Sequence, residues 1–219
     1  MKKLVLAAAL AVLLTGCSTT PKTQYDYTAL KTSDPKSILV VLPTNSSPDI
    51  KAPTSVLSRI SQPLAEKGYY VYPVALVDEA FKQNGLTDGH AIQTASLKKI
   101  NEIFDADSIL YLDVSEYGTS YKLIDSETTV TVTGKLIDAR TGKILWENTG
   151  TYAQSANAGQ NNGLLGALVN AVVHQIVNTS KDYGYTVAQT TAINLVYLNN
   201  APLLYGSRHP KYWKKQLTK

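Results

Sequence analysis

Few side chains in this 219-residue sequence are of the kinds that perform covalent or metal chemistry. There is one cysteine, Cys17, and there are three histidines, His90, His174 and His209. A lone thiol cannot close an internal disulfide, and one ligand does not make a metal site. The histidines do not fall in HExxH or any similar metal-ligating spacing, so no metal is expected. The sequence also lacks the GxSxG nucleophile elbow, the GxxxxGK phosphate loop and a GxGxxG turn after a strand. What remains is a set of acids beside one strand and its turn: Asp113, Glu116, Asp125 and Glu127. Two of them at a suitable separation would make the general acid/base pair of a hydrolase. Acids at strand edges more commonly just face water. Neither an enzyme nor a cofactor is declared.

The meaning of Cys17 lies in its neighbours. Lys2 and Lys3 precede an apolar run from Leu4 to Leu14, followed by the small residues Thr15 and Gly16. A basic start, a short apolar stretch and small residues form a secretory signal, too short to span a bilayer of roughly 30 Å as a stable helix. The segment 1–16 resembles a bacterial lipoprotein signal, with Leu14, Thr15, Gly16 and Cys17 as its lipobox. In such signals the thiol receives diacylglycerol, the chain is cut before the cysteine and the new amine is acylated. Several acyl chains hold a protein on a bilayer durably, each buried methylene contributing about 0.8 kcal/mol. Ser18 follows the cysteine, whereas lipoproteins kept at the inner membrane typically carry aspartate there. The expected address is therefore the periplasmic face of the outer membrane, with retention on the inner membrane or surface display as the alternatives.

Removing 16 residues of 219 leaves 203, enough for one substantial domain. Apolar content of 44% and a mean hydropathy of −0.10 describe a globular chain. The formal charge of +4 falls to +2 once Lys2 and Lys3 leave with the signal. Arg208, Lys211, Lys214, Lys215 and Lys219 all lie in the last twelve residues, and without those five charges the body stands near −3. Such a body is a poor partner for nucleic acid. The tail suits a phospholipid headgroup, lipopolysaccharide or an acidic protein, or else is a solvated tail that aids solubility.

The elements read as follows. Residues 17–36 form a lipidated tether, in which Tyr25, Tyr27 and Leu30 are candidates to pack on the body. "SILVVLP" at 37–43 is a strand buried on both faces. From Thr54, apolar Val56, Leu57, Ile60 and Leu64 recur at helical spacing, with Pro63 kinking the helix or opening a new turn and Gly68 ending it. "YYVYP" at 69–73 then completes a βαβ unit with parallel strands. A helix follows to Gly85, then a loop holding His90, then a helix burying Leu97, Ile100, Ile103 and Phe104. A central strand is expected at 108–118. The clearest hairpin comes next, with Val130, Val132, Gly134 and Leu136 alternating against Thr129, Thr131, Thr133 and Lys135. Asp138 and Gly142 shape its turn, and the return strand sets Ile144, Trp146 and Tyr152 opposite Leu145. After a Gly/Asn/Ser-rich loop, residues 164–184 read as a helix with a polar stripe of Gly166, Asn170, His174 and Asn178. Its wide apolar face fits the sheet or a second subunit. A final helix spans 186–200. The chain is thus an α/β protein: a mixed sheet with an N-terminal βαβ unit, an antiparallel hairpin and packed helices, in a single domain over 37–206, with a basic tail at 207–219.

The tail carries aromatic anchors beside cations: Tyr205, Arg208, His209, Tyr212 and Trp213, stiffened by Pro202 and Pro210. These five are candidate partner-binding residues, and the alternative is a terminus packed on its own domain.

Together the lipobox, "SILVVLP", "LSRISQPLAEKGYYVYPV", "DARTGKILWE" and "LLYGSRHP" resemble a family of bacterial outer-membrane lipoproteins of unknown function, typified by a meningococcal lipoprotein vaccine antigen. The resemblance implies an α/β sandwich similar to the N-terminal domain of the Tol–Pal propeller protein and to the curli secretion lipoprotein. It implies a non-enzymatic accessory of an envelope transport or secretion complex, acting beside other lipoproteins of the curli-secretion kind. No catalytic residues come with it. An activator of a peptidoglycan synthase is the alternative, an envelope hydrolase the least favoured, and a homo-oligomer is open.

Overall fold

The computed structural model describes residues 25–121, 126–155 and 183–216. The expected lipobox, Cys17, Asp125 and the 164–184 helix with His174 lie outside the described residues or, for the helix, all but its last two residues do.

Order along the described chain is α1 Thr28–Ser33, β1 Ser37–Val40, β2 Thr44–Asn45, α2 Ala52–Glu66, β3 Tyr70–Val71 and α3 Val74–Gln83. Then come α4 Gly89–Gln93, α5 Leu97–Phe104, β4 Ser108–Tyr121, β5 Ser126–Asp138, β6 Ile144–Ser155, α6 Tyr183–Tyr197 and α7 Trp213–Gln216. The sheet is mixed, as expected, in the order β3-β1-β4-β5-β6, with β2 also pairing with β4.

The βαβ unit forms as its apolar spacing requires. Ile38, Leu39, Val40 and Val41 are fully buried, and β1 pairs in parallel with both β3 and β4. Beside β4, β1 and β2 act as one interrupted strand: Ile38 sits opposite Ser108 but Thr44 opposite Asp113, so one extra residue is accommodated near Pro43, which has no N–H to pair. Helix α2 buries Val56, Leu57, Ile60 and Leu64. It does not stop at Pro63, which lies in its last turn and is itself buried. β3 and β4 flank β1 on opposite sides, so two right-handed crossovers lie on opposite faces of the sheet. Accordingly α6 lies over the hairpin strands β5 and β6 and α2 packs beside it, toward β3 and β4, while α3 and α4 lie against β1 and β2.

β4 is central and runs three residues past the expected Gly118, pairing antiparallel with β5 along its length apart from a bulge between Val114 and Glu116. β5 alternates as read from the sequence. At the turn, the Asp138 carboxylate accepts from the Arg140 and Thr141 amides, and Gly142 adopts φ +71°. The return strand departs from its expected pattern. A register shift between Leu136 and Ile137 breaks the alternation, so Leu145 and Trp146 are both buried while Ile144 is half exposed. The Trp146 indole donates to the Ala201 carbonyl at 2.7 Å.

Two further corrections concern α4 and α5. His90 lies not in a loop but in α4, whose N-terminus is capped by the Asp88 side chain accepting from the Ala91 amide. Ile100 is buried, but Ile103 is 61% exposed. It stands at the margin of the Leu97–Ile100–Phe104 stripe, on the rim of an apolar groove of about 360 Å³ between α3 and α5.

The β6 edge of the sheet is covered in part. On β6 the Glu147 amide donates to the Tyr25 hydroxyl at 2.9 Å, and the side-chain amides of Asn194 and Asn199 donate to the Thr151 and Thr149 carbonyls. Tyr25 and Tyr27 pack on the core and Leu30 is buried, so the chain is docked from residue 25 onward.

Candidate functional site

Two places on the fold gather polar and aromatic groups, at opposite ends of the parallel strands. The first is where the C-terminal segment crosses the turn between α2 and β3. Gly68 takes φ +88° there, and a β-carbon on it would sit 2.5 Å from the His209 nitrogen. A β-carbon on Gly206 would sit 2.8 Å from the Gly68 oxygen. The two backbones therefore touch, and side chains are excluded by space as well as by φ. The Gly206 amide donates to the Lys67 carbonyl at 2.8 Å, the Arg208 amide to the Gly68 carbonyl at 3.3 Å and the Tyr69 hydroxyl to the Leu204 carbonyl at 2.9 Å.

This contact assembles an aromatic cage. The Lys67 ammonium lies 4.1 Å from the Tyr197 ring centre and 4.4 Å from that of Tyr205, which stacks on His209 at 4.0 Å. Lys67 is only 4% exposed, and burial pushes its ammonium down to about 8. The two rings favour the cation and oppose that shift. Farther along, the Lys211 amide donates to His209 Nδ1 at 3.0 Å. The Tyr212 hydroxyl donates to Asp34 at 2.5 Å and Lys214 pairs with the same carboxylate at 2.7 Å. Burial, and then the Asp34 carboxylate, raise the Tyr212 phenol above its ordinary value. Of the five candidate partner-binding residues, Tyr205, His209 and Tyr212 are thus turned onto the domain. Arg208 is exposed, donating to the Lys36 carbonyl at 3.3 Å with its guanidinium 5.6 Å from the Tyr70 ring. Trp213 is half-buried, with Lys31 at 5.8 Å and Lys214 at 5.1 Å from its ring.

The second place is a cleft of about 830 Å³ past the C-terminal ends of β1 and β2, where α/β sheets commonly hold ligands. Thr44, Asp78, Asp88, His90 and Asp113 line it, with the nearly fully exposed Ile50 at its mouth. Thr44 donates to Asp113 at 2.6 Å, tying β2 to β4. Asp78 pairs with Lys82 at 2.6 Å through one oxygen, and its other oxygen is buried without a hydrogen-bond partner. Sequence reasoning missed this cleft. The available signal was Asp88-Gly89, a helix cap where a loop was expected.

The acids offered as a hydrolase pair serve separate neighbours. Asp113 holds Thr44, while Glu116, beyond the bulge, accepts from the Thr131 hydroxyl at 3.1 Å. Among the described residues no group of three His, Cys, Asp or Glu side chains is placed to hold a metal ion. No described helix is long and apolar enough to cross a membrane.

Comparison with known proteins places this geometry. A family model described as "Putative lipoprotein GNA1162-like" matches residues 25–208. The chain belongs to that family. Among GNA1162-like proteins, lipoprotein NMB1124/NMB1162 of Neisseria meningitidis serogroup B is 46% identical over 210 residues, 95% of this chain and 97% of the relative. The crystal structure of lipoprotein GNA1162 from Neisseria meningitidis superposes with a TM-score of 0.54 at 48% identity, covering 66% of this chain and 99% of that one. A PelC dodecamer from Paraburkholderia phytofirmans gives a TM-score of 0.43 at 15% identity over 81% of this chain and 92% of that one. The family resemblance read from the sequence is therefore borne out, and the GNA1162-like match ends at Arg208, within the segment that crosses Gly68.

Proposed function

We propose that this GNA1162-like protein is moored to the periplasmic face of the outer membrane by acyl chains on Cys17 and works there without catalysis, as an accessory of an envelope transport or secretion assembly. Its partners on this reading are other envelope lipoproteins, of the curli-secretion kind. The observation that supports the mooring is the extent of the lipoprotein relative. A likeness covering 95% of 219 residues must start well before residue 17, so it runs through the segment that carries Leu14, Thr15, Gly16 and Cys17.

The cover on β6 and the shortness of β3 support side-surface docking over strand addition. With the Thr149 and Thr151 carbonyls of β6 occupied by Asn199 and Asn194, and β3 only two residues long, the edges offer little backbone to template a partner's strand.

The deciding experiment is fractionation of intact cells. The native chain should incorporate labelled fatty acid and sediment with outer membrane. Cys17→Ser should abolish labelling and processing, and Ser18→Asp should move the protein to the inner membrane. A Cys17→Ser chain that is still processed and membrane-bound ends this reading. Crosslinking in cells, followed by identification of the captured proteins, tests the accessory role, and recovery solely as a monomer counts against it.

A further inference from the structure

We infer that the end of the fold where the two chain termini meet is a membrane-contact face whose occupant is an anionic phospholipid surface. This deepens the mooring reading and takes from it only the direction of the bilayer.

The first observation is a convergence that sequence distance hides. Tyr212 and Lys214 are bonded to Asp34, directly after α1, and Lys31 in the last turn of α1 reaches the Trp213 ring. Helix α1 has six residues and so spans only about 9 Å. The basic C-terminal segment therefore lies within a short helix's length of the point where the chain enters the fold. Seven residues lie between Cys17 and Tyr25, a reach of at most about 28 Å over the eight steps even when fully extended. An acylated Cys17 keeps this end, rather than the cleft end, close to the headgroups.

The second observation is the disposition of charge. Lys31, Lys36, Lys143, Arg208, Lys211 and Lys214 are exposed at this end. Three of the acids beside them are spent internally. Asp107 accepts from the Lys36 and Ser37 amides and the Ser37 hydroxyl, all at 3.0 Å. Asp138 accepts from Ser33 and the turn amides, and those hydrogen bonds outweigh the effect of burial and hold its carboxyl below the usual range. Asp34 anchors Tyr212 and Lys214. Asp26, Glu66, Asp105 and, beside Tyr25, Glu147 are exposed acids there, Glu147 pairing with Lys135 at 3.7 Å. The sequence adds Lys215 and Lys219 and no further acid.

Third, the same face presents Trp213, a ring with one apolar and one hydrogen-bonding edge, flanked by cations. That pairing is the one found at headgroup depth, where indole sits at the apolar boundary and ammonium groups meet phosphates. Cations near an anionic leaflet add attraction one by one, each strengthening binding several-fold at moderate salt. Acyl chains and a basic patch then act as two linked signals on one surface.

The test uses the mature-length chain (residues 17–219) carrying Cys17→Ser, so that any binding is independent of acylation. It is sedimented with vesicles of phosphatidylcholine alone and with vesicles one-third phosphatidylglycerol. Partitioning should be at least tenfold greater on the anionic vesicles and should fall as salt rises. Trp213 emission should shift to the blue, while fully buried Trp146 contributes a constant background. Replacing Lys211, Lys214, Lys215 and Lys219 together by glutamine should remove the preference, and circular dichroism should report an unchanged fold. Equal partitioning on the two vesicle types, full retention by the substituted chain, or binding to an acidic protein but to neither vesicle would overturn the inference. None of these results bears on the cell fractionation of Cys17→Ser, so the two readings fail separately.

Discussion

The two ends of this molecule are built on opposite principles. At the termini, residues more than a hundred positions apart are bonded to one another: Gly206 to Lys67, Tyr69 to Leu204, Tyr27 to Pro202 and Tyr212 to Asp34. At the cleft, the contacts are mostly local, as in Asp78 with Lys82 and Asp88 with Ala91, and a buried carboxylate oxygen has no partner. Contacts between distant residues close large loops and cost chain entropy, so they persist only where packing more than offsets it. The termini end is therefore a fastening. The cleft end keeps exposed polar side chains such as Asp88 and His90 along its lining, which is what a surface offered to something else requires.

The contrast is broken most directly at Gly68. Gly68→Val should destabilise the fold by at least about 3 kcal/mol, because a β-carbon meets the His209 backbone and φ is positive. Denaturant midpoints measure this, and a loss below about 1 kcal/mol would show that the fastening yields cheaply.

Lys67 supplies the next largest effect. Its folded-state value of about 8 lies below the ordinary 10.5, so between those values the unfolded chain binds the additional proton. Stability attributable to this group then rises with pH across that window, and the charging penalty is present in full below it. Lys67→Met should abolish the rise, roughly 1–3 kcal/mol after the attraction of the Tyr197 and Tyr205 rings is set against burial. A wild-type protein whose stability falls from pH 8 to 10 while the variant stays flat would reverse the sign.

Tyr212→Phe should cost about 1.5 kcal/mol, the low end for one hydrogen bond to a charged acceptor because Lys214 still pairs with Asp34, and should raise exchange rates of amides near Asp34. The smallest effects belong to the other end. Asp78→Asn, and Asp113→Asn combined with Glu116→Gln, should each change stability by no more than about 0.5–1 kcal/mol, and the paired amides should leave the cellular phenotype intact. Losses matching that of Gly68→Val would erase the distinction between the ends.

Legibility followed the range of the physics. The hairpin alternation around Val130, Val132 and Leu136 and its Asp138–Gly142 turn were readable because pleat and turn chemistry act over a few residues. The failures sit where a neighbour intervenes. Ile144 was assigned with Trp146, but Leu145 is an extra residue in the pairing of β6 with β5, and that bulge breaks the alternation. Ile103 shares the helical period of Ile100 but lies at the rim of a groove that α3 leaves open. The tail could be named as basic and aromatic, yet whether it faced solvent or the domain depended on a glycine contact spanning 138 positions, from Gly68 to Gly206.

By itself the sequence determined the class of fold, the order of most elements, the family and the poverty of catalytic groups, because hydrophobic period, caps and motif spacing are local quantities. Only the tertiary structure decided that Lys67 enters an aromatic cage, that the cleft exists, and that the basic C-terminal segment lies beside the point where the chain enters the fold. Those depend on which distant backbones approach within van der Waals contact, and no local pattern encodes that distance.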